Sequence, residues 1–286
     1  MRPVNQSARF ANRRALRPCL PWEAMNMRAA LSRHWPEYLM EAAGLGLFMV
    51  SASVFAVVLF HPGSPALPIL GGLVARRTLM GLAMALTAIA LIYSPWGRQS
   101  GAHFNPAVTL TFFRLGKIEA WDAGFYVAAQ FVGGLSWMLV VAAVAGPIVG
   151  NPAVNYVVTV PGSLGVVVAF AAEALIAFCT MTTVLAVSNS PRWAGFTGLC
   201  AGALVAAYIT LEAPLSGMSL NPARTFASAV PADVWRAFWI YLTAPLAGML
   251  LAAELRVRWA RRPVICAKLQ HDQATRCIFC HYTPVG

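Results

Sequence analysis

Long apolar runs separated by short polar punctuation dominate the chain. Six of them cover roughly 38–60, 79–93, 123–144, 164–187, 194–211 and 235–255. A helix needs about 20 apolar residues to cross a bilayer, so these runs predict six transmembrane helices. The second and fifth are short, and tilt or extension into their flanks has to complete them. Backbone groups in hydrocarbon must be satisfied within the segment, which selects helices over open strands. Gly198 and Gly202, spaced GxxxG, and the pair Gly133/Gly134 predict close approach of neighbouring helices.

The pattern also repeats. Residues 38–113 contain an apolar helix bearing Glu41, a second helix, and then Ser-Gly-Ala-His-Phe-Asn-Pro-Ala at 100–107. Residues 164–228 contain an apolar helix bearing Glu173, a second helix, and then Ser-Gly-Met-Ser-Leu-Asn-Pro-Ala at 216–223. Each half adds one more helix. An odd number of spans inverts the second copy relative to the first, and inverted repeats place their functional site near the midplane where the halves meet. After each Asn-Pro-Ala, at Asn105-Pro106-Ala107 and Asn221-Pro222-Ala223, comes an amphipathic stretch (107–113 and 223–230) too short to cross a bilayer. Asn is a favoured N-cap and Pro a favoured first helical residue. Each motif is therefore read as the start of a half-helix that dips into the membrane and stops. A third Asn-Pro-Ala, at 151–153, lacks the Ser-Gly lead-in and is read as a loop turn.

Composition supports the membrane reading. Of 286 residues 59% are hydrophobic and 11% charged, against about 25% charged in soluble domains. The formal charge of +11 collects at the ends: Arg2, Arg9, Arg13, Arg14, Arg17, Arg28 and Arg33 precede the first run, and Arg256, Arg258, Arg261, Arg262, Lys268 and Arg276 follow the last. Basic flanks beside apolar spans indicate cytoplasmic anchoring and contact with anionic lipid, not nucleic-acid binding. The expected organisation is a basic cytoplasmic tail (1–37), a membrane domain (38–255, with halves about 38–146 and 163–255) and a second cytoplasmic tail (256–286). Cys179 and Cys200 lie in apolar runs; Cys19, Cys266, Cys277 and Cys280 lie on tails that the charge pattern places in a reducing compartment. No nucleophile, base and orienting group are assembled by spacing, which argues against an enzyme.

Ser100 to Thr109 closely resembles the first signature of the aquaporin (major intrinsic protein) family, and Ser216 to Arg224 resembles the second. Ala129-Gln130-Phe131-Val132-Gly133-Gly134 looks like the family's third helix, and Glu41 and Glu173 match its repeated membrane glutamates. The resemblance covers about 38–255. It implies an all-α integral membrane fold of six transmembrane helices plus two re-entrant half-helices. It also implies a homotetramer with one passive pore per chain, in the plasma or inner membrane, conducting water and small uncharged solutes. Positive half-helix ends would repel protons and cations, and the Asn105 and Asn221 carboxamides would donate hydrogen bonds to a passing oxygen. Arg224 matches the family's outer constriction, with Met84, Ile209 and Met218 as its other members. The aromatic and histidine typical of strict water channels are missing there, and Thr225 stands where glycerol facilitators carry Asp. Glu41 and Glu173 are expected to accept hydrogen bonds from the re-entrant loops, the alternative being a proton relay; His103 is expected to support its loop or line the pore. A glycerol or other neutral-solute facilitator, a secondary transporter, and a junction or scaffold protein with a closed pore remain alternatives.

The C-terminal tail carries a separate pattern. Cys277-Ile278-Phe279-Cys280-His281 matches a c-type haem attachment motif, but only five residues follow it. Cys266, His271, Cys277 and Cys280 together offer four ligands of the zinc-binding type. Their spacing fits no common finger, and a disordered tail is the alternative.

Overall fold

In the computed structural model, residues 25–259, 264–271 and 274–283 are described; Cys19, Arg261, Arg262 and the basic residues from Arg2 to Arg17 lie outside them. Among the described residues six helical segments are long and apolar enough to cross a membrane: α1 (Met27–Phe60), α2 (Leu73–Tyr93), α5 (Ala120–Val149), α6 (Gly165–Ser188), α7 (Thr197–Leu211, preceded without a break by a 3-10 turn from Ala194) and α10 (Phe238–Trp259). Between them stand α3 (Pro95–Ser100), α4 (Pro106–Arg114), α8 (Ala213–Ser216) and α9 (Pro222–Ala232).

Several helices outrun their apolar segments. The first span starts at Met27 rather than 38, carrying Pro36 inside it. Asn26 caps it by accepting from the Ala29 amide at 2.9 Å. His34 and Tyr38 both bond the Asp122 carboxylate of α5, at 2.8 and 2.5 Å. Those ties to α5 hold helical a polar N-terminal stretch of α1 that apolar pattern alone would leave out. The third span continues to Val149 through a kink at Ala145, two residues before Pro147; proline at such a place bends a helix rather than ending it when packing holds both sides.

Small residues set the helix contacts. A Cβ on Gly133 would lie 2.4 Å from the Ala42 backbone, and one on Gly248 would lie 2.1 Å from the Ala174 carbonyl. These are the same contact in the two halves, α5 on α1 and α10 on α6. Gly202 and Gly198 seat α7 against Ile89 and Tyr93 of α2; the GxxxG pair brings neighbouring helices close, and those helices belong to different halves. The outward faces are apolar: Val132, Val140, Val144, Val167 and Leu175 are exposed. Apart from Trp137 in the middle of α5, the exposed tryptophans gather towards the ends of the spans, Trp35, Trp96, Trp121, Trp193 and Trp259 on one side and Trp235 and Trp239 on the other, where interfacial aromatics belong.

The described tail residues do not hang free. They fold back beneath the bundle, on the side where α1 begins and α10 ends. Arg276 bonds Glu37 at 2.8 Å, and the Ile265 amide donates to Asn189 at 2.6 Å. This side is called the tail side below.

Candidate pore

The site begins with two local signals. Asn105 and Asn221 are extended (φ −156° and −146°), and each turns its side chain onto the helix it starts. Asn105 Oδ1 accepts from the Ala107 amide at 2.9 Å; Asn221 Oδ1 accepts from Ala223 and Arg224 at 3.1 and 3.3 Å. Pro106 and Pro222 occupy the first turn, where a missing N–H costs nothing. With 9 and 11 residues, α4 and α9 span about 14 and 17 Å, roughly half a hydrocarbon core.

The chain before each asparagine follows one plan twice. A short helix, α3 or α8, ends on a left-handed glycine, Gly101 (φ 100°) or Gly217 (φ 85°). Two non-glycine residues then also take positive φ: Ala102 and Phe104 in the first loop, Met218 and Leu220 in the second. Such backbone persists only where surrounding structure compels it. A buried carboxylate does so in each half. Glu41 accepts from Ser100 Oγ (2.7 Å), His103 N (3.0 Å), Phe104 N (2.6 Å) and Gln130 Nε2 (2.8 Å). Glu173 accepts from Ser216 Oγ (2.7 Å), Ser219 N (2.6 Å) and Leu220 N (2.8 Å). Every donor faces a carboxylate oxygen.

The two loops then meet. Asn105 Nδ2 donates to the Leu220 carbonyl at 2.8 Å, and Asn221 Nδ2 donates to the Phe104 carbonyl at 2.7 Å. The N-termini of α4 and α9 are thereby joined tip to tip by a reciprocal pair of bonds. Each asparagine spends one amide proton on the opposite half and keeps a second.

A cavity of about 420 Å³ passes this junction, lined by both asparagines together with Phe104 and Leu220. Towards the far side it is lined by Met84, Ile209, Met218 and Arg224. Met84 is buried on the cavity, and the two residues by which α3 exceeds α8 (6 against 4) lie after α2. Nη1 of Arg224 is buried with no hydrogen-bond partner among the described residues. Asn151 closes a turn with its side chain on the Ala153 amide (3.0 Å), the loop expected of the third Asn-Pro-Ala. The sequence reading missed, however, that Ala153, Val154 and Val157 also line the cavity.

Towards the tail side His103 lines the cavity. Its Nε2 bonds the Ala267 carbonyl at 2.9 Å and its Nδ1 the Thr109 hydroxyl at 3.0 Å. A carbonyl only accepts, so Nε2 carries the proton and Nδ1 of the neutral ring accepts from Thr109. Gln130, which also bonds Thr109 at 3.1 Å, completes the chain. Two further supports went unread in the sequence: Tyr126 and Tyr241 donate to the Ser100 and Ser216 carbonyls at 2.7 and 2.5 Å. Aligning the third spans of the halves would have paired them. The metal-ligand candidates Cys266, His271, Cys277 and Cys280 also come together, their donor atoms all within 4.8 Å of one another.

Six apolar spans, two inverted halves and two half-helices meeting at a lined cavity define a multi-pass membrane protein of the aquaporin fold. The sequence profile described as Major intrinsic protein matches residues 29–255, and the chain belongs to that family. Aquaporin NIP6-1 of Arabidopsis thaliana is 38% identical over 179 residues, 62% of this chain and 57% of that protein. The chain thus spans little more than half the length of that relative. Probable aquaporin AqpM of Archaeoglobus fulgidus is 36% identical over 183 residues, 62% of this chain and 74% of that protein. The X-ray structure of the aquaglyceroporin from Plasmodium falciparum superposes with a TM-score of 0.64 at 19% identity, over 80% of this chain and 97% of that one, a likeness of fold.

Proposed function

We propose that the chain is a passive channel for water and small uncharged solutes. The observation that carries this reading is the reciprocal bonding of Asn105 and Asn221 beside a continuous lined cavity. A helix N-terminus carries about half a positive charge, and two of them aimed at one point oppose the passage of protons and cations. The spare amide proton of each asparagine meets a passing oxygen, and the unpaired Nη1 of Arg224 adds a donor and a fixed positive charge beyond them. Glu41, Glu173 and His103 hold the loops in this reading; none relays protons.

The apolar companions of Arg224, namely Met84, Ile209 and Met218, support a second solute class alongside water, a glycerol-sized neutral molecule. Stopped-flow light scattering on proteoliposomes decides the matter. Water permeability well above that of empty vesicles is expected, with glycerol or urea also passing and no ionic current. Flux equal to empty vesicles, both with and without a membrane-permeant chelator, rejects the channel. Saturable uptake coupled to an ion gradient favours a transporter instead. Arg224→Val is expected to keep water flux and widen solute passage; unchanged selectivity removes Arg224 from the constriction.

The basic ends support an orientation with both termini in the cytoplasm, in the plasma or inner membrane, and with domain limits near 38 and 255. Membrane-impermeant thiol labelling of intact cells tests the orientation: the tail cysteines are expected to stay unlabelled until the cells are lysed.

A further inference from the structure

We propose that Cys266, His271, Cys277 and Cys280 bind a thiophilic divalent cation of the zinc type, and that the bound ion holds the tail as a plug across the tail-side mouth of the pore. The plug half rests on the channel reading above; the metal half does not.

The donor set is three thiols and one imidazole, with all four atoms within 4.8 Å of one another. Cys266 and Cys277 sulfurs lie 3.3 Å apart, and His271 Nε2 lies 3.2 Å from Cys280 Sγ. A tetrahedral ion with metal–sulfur bonds of about 2.3 Å separates its sulfurs by about 3.8 Å, so one ion reaches all four donors with small adjustment. Three cysteines and a histidine form a closed structural set with no open position for catalysis.

Two further observations fit a metal. The first is the tail's fold. Residues 264–271 and 274–283 contain a single isolated bridge, Cys277 to Tyr282, among the described residues, yet Val264, Cys266, Ala267, Leu269 and Phe279 are buried. Segments this short build no core of their own, and beside their bonds to the bundle a structural metal would add the internal tie that secondary structure does not supply. The second is Lys268. Its side chain is 2% exposed, and its ammonium donates to two neutral oxygens, the Arg276 carbonyl (2.7 Å) and the Thr275 hydroxyl (3.2 Å). Binding a dication to three thiols and one imidazole releases three protons and leaves a site of charge −1. That is a countercharge for a lysine buried two residues from Cys266 and three from His271.

The opposite face of the same tail touches the pore. The Ala267 carbonyl accepts from His103, the Leu269 amide donates to the Gly101 carbonyl at 3.1 Å, and the Phe279 ring stacks on His103 at 5.5 Å and 6°. Leu269 itself lines the cavity. The ligands are thus interleaved with the contacts: Cys266 and His271 flank Ala267 and Leu269, and Cys277 and Cys280 flank Phe279. Removing the metal frees these contacts and opens the mouth.

The test uses the full-length protein, purified without a histidine tag, and zinc as the probe. Elemental analysis is expected to find one zinc per chain, lost in Cys277→Ser/Cys280→Ser. In proteoliposomes a membrane-permeant chelator is expected to raise water permeability several-fold, and added zinc to restore the low value. Leu269→Ala is expected to conduct well with zinc bound. Absence of zinc binding by wild-type protein overturns the site. Bound zinc, with chelation leaving a conducting channel unchanged, overturns the plug. Zinc bound, with no flux from wild type before or after chelation or from Leu269→Ala, overturns the plug through the channel reading on which it rests. Because chelation needs no substitution, a variant that fails to fold does not blunt the result.

Discussion

At the residue scale the fold depends on two buried carboxylates that do not conduct anything in the proposed reading. Glu41 receives four donors and Glu173 three, from hydroxyls, backbone amides and, for Glu41, Gln130. Glu41→Gln puts an amide NH₂ opposite the His103 or the Phe104 backbone N–H, which only donate, so at least one buried N–H loses its acceptor, at about 1–3 kcal/mol. We expect a lower unfolding temperature in detergent and loss of water flux, since Ala102 and Phe104 are then no longer compelled into positive φ. A variant that stays stable and conducts while its proton leak changes would instead favour a relay. The importance of these glutamates was legible in their matched positions. Tyr126 and Tyr241, which hold the Ser100 and Ser216 carbonyls, were legible only as a matched pair in the third spans, because a tyrosine in an apolar helix carries no local sign of whether its hydroxyl meets a carbonyl.

At the element scale, packing rests on backbone approach. Gly133→Val places branched carbons where the Ala42 backbone already stands 2.4 Å from an ideal Cβ. Overpacking of this kind costs about 1–3 kcal/mol or more, and α5 is expected to separate from α1, seen as aggregation in gel filtration. Gly248→Val is expected to act alike between α10 and α6. Gly124 lies in the same α5 with nothing within 4 Å of an added Cβ. Gly124→Ala is therefore expected to be neutral or to stabilise by about 0.4–1 kcal/mol. Equal damage from Gly133→Val and Gly124→Ala would show that the close approach to Ala42 does not set the outcome. The ion pair of Arg114 with Glu254 joins α4 to α10 at 2.6 Å, but its side chains are 58% and 32% exposed; such pairs contribute about 0–1 kcal/mol, so α4 is placed by its capped tip and buried face.

At the scale of the whole molecule, the exposed apolar faces of α5 and α6 have to meet lipid or another copy of the chain. The resemblance that implies a homotetramer adds a definite expectation: cross-linking in native membranes should give a ladder that stops at four chains. A ladder that stops at one would remove the tetramer and leave each pore wholly lipid-bound. Neither result touches the pore, which lies within a single chain.

The number of spans, their inverted halves and the two half-helix starts follow from the sequence alone, because each rests on a signal within a few residues. Apolar length selects a span, and an Asn-Pro pair caps a helix, whatever surrounds them. Tertiary structure alone decided that Asn105 and Asn221 bond across the junction, that Gly248 repeats the contact of Gly133, and that the tail returns to His103. Those contacts join residues far apart in the chain, 164 positions in the case of His103 and Ala267. They depend on how surfaces fit once the helices stand together, a property that spacing along one strand of sequence does not record.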